Sequence, residues 1–145
     1  MDPLESQQTT EPSLLDGLTK SDICGQTVGH LSKIGEVITI SVQSSDLFGN
    51  AWFDHIEVLV VPTTRLAEEF FDLSTGHAGE IIRKSINYNI RLAIIGDVGP
   101  YIEKSNAFAD FVRETNKGNH VWFLADEKAL EPKLASRAQL SAQNS

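Results

Sequence analysis

Three short runs of nearly unbroken apolar residues constrain this chain most: Ile56–Val61 (IEVLVV, apolar past Glu57), Leu92–Ile95 (LAII) and Val121–Leu124 (VWFL). Runs this short, bounded by turn residues such as Pro62 and Gly96-Asp97, suit strands covered on both faces, as in a helix-flanked parallel sheet. A fourth run, Val37–Val42 (VITISV), is β-branched at nearly every position, follows Gly35, and reads as the first strand. Helical patterns fall between these runs. Ser44-Ser45-Asp46 can cap a short helix through Phe53, where Gly49 costs about 1 kcal/mol relative to alanine. A central helix opens near Ser74 or Thr75, with Ala78, Ile81, Ile82 and Ser85 on one face and Glu80, Arg83, Lys84 and Asn87 on the other. Asn87-Tyr88-Asn89 closes it, because asparagine tolerates the left-handed backbone of a C-cap. After Pro100 and the polar Glu103–Asn106 a further helix turns Phe108, Phe111, Val112 and Thr115 inward, and Gly118 ends it. Strands separated by helices predict an α/β fold: a small, mostly parallel sheet with covering helices.

The 145 residues are one domain's worth of chain. Residues 1–13 are polar, carry Pro3 and Pro12, and read as a disordered lead. Residues 14–130 form the single domain, and 131–145, broken by Pro132, read as a fraying tail. From Leu14 to Gly35 the pattern is irregular; Leu14, Leu15 and Leu18 suit one amphipathic turn, and Ile23, Val28 and Leu31 suit partial cover of the core. Twelve basic against 20 acidic residues give a net charge of −8. A duplex-binding surface needs clustered Lys and Arg to neutralise phosphates, so nucleic acid is not an expected partner, and neither is an anionic membrane. The lone cysteine, Cys24, excludes an internal disulfide and a multi-cysteine zinc site. No run reaches the ~18–20 apolar residues of a membrane span, and the first residues lack the basic and apolar regions of a secretory signal. A cytoplasmic location is the expectation.

Across EEFFDLSTGHAGEIIRKSINYNIRLAIIGD, continued by AFADFVRETNKGNHVWF, the sequence resembles the bacterial domain-of-unknown-function 4180 family, from about Glu68 to Phe123. The family carries no assigned reaction. Its layout is similar to that of STAS domains, in which a strand feeds a loop ending in Ser/Thr-Gly at a helix start, followed by another strand. The resemblance implies a STAS-like α/β domain with a regulatory binding role. In STAS proteins a Ser or Thr at the comparable place is phosphorylated to release a partner, which implies such a role for Ser74 or Thr75.

The residues themselves mark one main candidate surface, Phe70, Phe71, Asp72, Ser74, Thr75, Gly76, His77 and Gly79. A helix N-terminus offers unpaired N–H groups and about half a positive charge, so a phosphorylated hydroxyl is well placed there. Simple capping by Asp72, Ser74 or Thr75 explains the same residues. Gly76 and Gly79, three apart, permit close approach by a partner or by the protein's own chain. His77 lies near Glu80 and Asp72, but two ligands make no metal site, and a solvated or interface histidine is the plainer reading. Adjacent Phe70 and Phe71 on an irregular turn are hard to bury together, which leaves one as a partner anchor. The other aromatics, Trp52 and Phe53 among them, read mostly as core. A second candidate is an acidic rim of Thr63, Asp97 and Asp126 beyond the strand ends, with oxygen ligands suited to Mg²⁺.

No nucleophile elbow, P-loop, metal cluster or paired Ser/His/Asp signal stands in the sequence. The expectation is a non-enzymatic regulatory module without cofactor or resident metal, binding a protein partner or a second copy of itself. The alternative is a small-ligand or phosphate-ester site at the Thr63/Asp97/Asp126 edge.

Overall fold

The computed structural model describes residues 18–38 and 42–135. The described chain opens on a hairpin. Strands β1 (Thr19–Ile23) and β2 (Gln26–His30) are joined by Cys24-Gly25, whose φ angles of 54° and 80° make a turn of two left-handed residues. That turn matches the twist of its strands and sets Ile23 opposite Gln26, Ser21 opposite Val28 and Thr19 opposite His30.

From β2 onward the chain crosses over. Helix α1 (Val42–Phe53) leads to β3 (Val58–Pro62), and α2 (His77–Asn87) leads to β4 (Arg91–Ile95). Helices α3 (Gly99–Lys104) and α4 (Asn106–Lys117) lead to β5 (Val121–Leu124). The five strands lie in the order in which they occur, β1 antiparallel to β2 and β2 through β5 parallel. The sheet is therefore mixed, which corrects the mostly parallel expectation. A two-residue connection can only reverse the chain, so the hairpin has to pair antiparallel.

When each new parallel strand joins on the same side, right-handed crossovers put the helices on one face. Strand residues alternate accordingly. Leu59, Val61, Leu92, Ile94, Val121 and Phe123 pack with Phe48 and Ala51 of α1, Ala78 and Ile81 of α2, and Phe108 and Val112 of α4. Val28, Val58, Val60, Ala93, Trp122 and Leu124 face the other way and pack with Leu130 and Leu134, which follow β5. Phe108, fully buried, sits among rings, with centroids 5.9 Å from Phe71, 6.3 Å from Tyr101, 6.0 Å from Phe111 and 6.1 Å from Phe123. Polar ties join the helices too: Lys84 Nζ donates to Ser45 Oγ at 2.6 Å and lies 3.6 Å from Glu80.

Several expectations change. Val37–Val42 is not a strand of the sheet: Ile38 makes one isolated parallel bridge to Leu66, Val42 begins α1, and residues 39–41 lie outside the described residues. The first strands come instead from the stretch read as irregular. The lead at 1–13, with Leu14 and Leu15, also lies outside the described residues, whereas Leu18 packs against the core. The tail expected to fray from 131 is helical as far as 135, with Leu134 buried. Pro132 falls in the first turn of that segment, where its missing N–H has no helical acceptor to lose. Trp52 and Phe53, read as core, are 61% and 76% exposed at the end of α1.

Candidate functional site

Between Pro62 and α2 the chain makes three 3-10 turns, Thr63–Arg65, Glu68–Phe71 and Leu73–Thr75, beyond the carboxyl end of β3. Arg65 anchors the first. Its side chain is buried, with Nε donating to the Glu36 carbonyl at 2.7 Å and Nη1 to the Ser32 carbonyl at 3.0 Å. Burial lowers its pKa from the ordinary value, and the charge of Glu36 works in the opposite direction. Thr64 Oγ1 donates to the Lys33 carbonyl at 2.6 Å, so the 32–36 loop is tied down over this corner.

The second turn buries both Phe70 and Phe71, which corrects the expectation that one of them anchors a partner. A 3-10 turn advances about 120° per residue, so neighbours on it can both face inward. Phe71 stacks on Tyr101 with centroids 3.9 Å apart, and Phe70 lies 6.3 Å from Phe123.

The third turn is exposed and internally bonded. Asp72 Oδ1 accepts from Ser74 N at 3.1 Å and from Ser74 Oγ at 2.7 Å. These bonds, the hydroxyl's first, lower the Asp72 carboxyl pKa. Thr75 Oγ1 lies 2.8 Å from the carbonyls of both Glu69 and Asp72, and accepts from His77 N at 3.2 Å. Gly76 then takes φ 77°, a left-handed conformation favouring glycine, and α2 begins at His77 rather than at Ser74 or Thr75. Ser74, Thr75, Gly76 and Gly79 are exposed, and a Cβ on either glycine would meet nothing within 4 Å. Internal packing therefore does not require these glycines. His77 is buried rather than solvated, and its Nε2 meets no hydrogen-bonding partner among the described residues.

Beside this turn lies a cleft of about 290 Å³ lined by Glu68, Phe71, Asp72, Leu73, Tyr101, Lys104 and Ser105. Tyr101 OH donates to Glu68 Oε2 at 3.5 Å, and burial first, then the Glu68 charge, raises the phenol's pKa. Ser105 Oγ accepts from Phe108 N at 3.1 Å, capping α4. Of this lining, Phe71 and Asp72 are candidates from the sequence, whereas Glu68, Tyr101, Lys104 and Ser105 are not. The signal for Ser105 was its place before a helical pattern; Tyr101 had no local signal.

Of the acidic rim, Thr63 and the Gly96-Asp97 turn do meet: a Cβ on Gly96 would sit 2.2 Å from Thr63 Oγ1. Asp97 Oδ1 accepts from Gly99 N at 2.9 Å, ordinary turn chemistry. Asp126 is exposed, and its carbonyl accepts from Ala129 N at 3.2 Å in the turn after β5. Among the described residues no three His, Cys, Asp or Glu side chains converge as a metal-holding group, and no helix is long and apolar enough to cross a membrane.

A five-stranded mixed sheet with helices on one face, and a polar cleft beyond its strand ends, define a small α/β domain. Residues 24–134 match the family described as Domain of unknown function (DUF4180), and the chain belongs to that family. The match extends well past both ends of the Glu68–Phe123 resemblance. No curated protein and no solved structure matches the chain.

Proposed function

We propose that the chain is a STAS-like regulatory module that acts by docking a protein partner, or a second copy of itself, on the exposed Asp72–Gly79 turn. The observation that carries this reading is the bare backbone at Gly79, one turn-length from Gly76, whose left-handed conformation already calls for glycine. Gly79 lies in the first turn of α2, and glycine costs up to about 1 kcal/mol relative to alanine in a helix. The space before it is open, so nothing inside the protein asks for glycine there. A partner pressing closely on the first turn of α2 would. The order β3, a loop ending Ser74-Thr75-Gly76, α2 and β4 supports the STAS-like layout.

A phosphate on Ser74 would bring close to two negative charges against Asp72 and remove the hydroxyl proton that Asp72 now accepts. The turn would open, which gives a release switch its physical basis. A second reading, a small polar ligand in the cleft, is favoured by its place beyond the strand ends, where α/β domains bind ligands.

The test is affinity capture with wild-type and Gly79→Arg bait. The arginine points into open space and leaves the fold intact, so loss of the captured partner supports docking at this turn. Capture unchanged by Gly79→Arg and by Gly76→Arg removes the proposal. Thermal stabilisation of the same proteins by nucleotides or sugar phosphates would favour the ligand reading instead.

A further inference from the structure

His30 closes β2, and side chains from two distant parts of the chain meet its ring. Ser21 Oγ lies 2.8 Å from Nε2, and Glu127 Oε1 lies 2.9 Å from Nδ1. The hairpin register makes Ser21 the diagonal neighbour of His30 on one face, since Thr19 is the residue directly opposite. Glu127 arrives on the 3-10 turn Glu127–Ala129, which is held in place by Leu130 and Leu134 against the sheet.

The proton positions follow from the partners. An ionised carboxylate only accepts, so Nδ1 carries the hydrogen; a neutral ring then leaves Nε2 bare, and the Ser21 hydroxyl donates to it. That is the tautomer a general base needs to activate a hydroxyl, with the carboxylate stabilising the imidazolium that forms. The site is open: the His30 side chain is 19% and the Glu127 side chain 52% exposed, and Ser21 is exposed. β1 is also the edge of the sheet. The pair closing a two-residue hairpin exchanges its hydrogen bonds, so ladder alternation points the N–H groups of Lys20 and Asp22 away from β2, one on each side of Ser21. One such edge N–H can donate to the carbonyl oxygen of a bound ester. The Asp22 carboxylate is turned aside, accepting from Gly25 N at 3.0 Å.

We propose that Ser21, His30 and Glu127 form a nucleophilic relay that gives this chain acyl-transfer activity on small neutral esters, at a site separate from the Asp72–Gly79 turn. Ser21 Oγ bonds to the ester carbonyl carbon as its proton passes to His30 Nε2. The bond to the alcohol oxygen then breaks, that oxygen takes the proton from Nε2, and the acyl group stays on Ser21. Water repeats the two transfers, releasing the carboxylic acid and restoring the hydroxyl. Ser21 and His30 are the catalytic residues, and Glu127 is a positioning residue. Neutral, short-chain esters fit because the site is open and the Glu127 carboxylate beside it repels anions.

The probe is p-nitrophenyl acetate with the full chain carrying Cys24→Ser, which removes an exposed thiol that would itself be acylated. The expected result is p-nitrophenolate release above the buffer rate and one acetyl group mapped to Ser21. Ser21→Ala should return release to the buffer rate, and His30→Gln should slow it by about 10²-fold, the lower range for a general base. Glu127→Gln should lower the rate and displace its pH profile, with partial rescue by Glu127→Asp. Circular dichroism confirms that each variant is folded. Release and acetylation equal with and without Ser21→Ala in the Cys24→Ser chain, or acetyl found only elsewhere, would mean that the three residues merely clip the hairpin to the C-terminal segment, and the proposal falls.

Discussion

The two faces of the sheet are covered in different ways. On one, helices α1, α2 and α4 bring large side chains into a continuous core, centred on Phe108 and its ring of aromatic neighbours. On the other, the strands present Val28, Val58, Val60 and Ala93 together with Trp122 and Leu124, and the described cover is Leu130 and Leu134 after β5. The difference follows from strand order: a sheet that always grows in one direction spends its crossover helices on a single side. The helix face is thus built into the topology, whereas the other depends on a segment added at the end.

That contrast can be measured. The largest effect belongs to the helix face: Phe108→Ala should cost about 3–5 kcal/mol, the range for a fully buried phenylalanine, read by chemical denaturation. Leu134→Ala should cost about 2 kcal/mol, the low end for a buried leucine, because a terminal segment can give way. The same variant should make Trp122, now 2% exposed, accessible to acrylamide quenching. If Leu134→Ala proved as costly as Phe108→Ala, the asymmetry would be false. The smallest effect is in acid. The lowered pKa of Asp72 means its cap stabilises above the ordinary carboxylate pKa and is lost as pH falls through the lowered one. Asp72→Asn should flatten that part of the stability–pH curve, and Leu134→Ala should leave its slope unchanged.

The apolar runs made much of the fold legible. IEVLVV, LAII and VWFL fall on β3, β4 and β5, and the amphipathic pattern of α2 and the left-handed Asn89 at φ 57° stand where periodicity and capping chemistry put them. The hairpin was not legible because β1, TKSDI, is an exposed edge with no apolar alternation. Val37–Val42 misled because β-branched composition reports burial on a pleated surface, not membership of a ladder. Phe70 and Phe71 misled because the 3-10 geometry between them leaves no mark on the sequence. At the candidate site, the Asp72–Gly79 turn was readable as capping chemistry, but the cleft was not, since Tyr101 and Lys104 reach it from another connection. His30 had no readable partners at all: its contacts lie nine and 97 positions away.

Strands that pair in the order they are made carry a consequence for synthesis. A chain leaving the ribosome can add each parallel strand to the last without waiting for distant sequence, so most of the sheet and its helices can assemble early. Leu130 and Leu134 emerge after all five strands. Until they dock, Val58, Val60 and Ala93 lack the cover that the described residues give them, so products that stop shortly after β5 are the ones expected to aggregate.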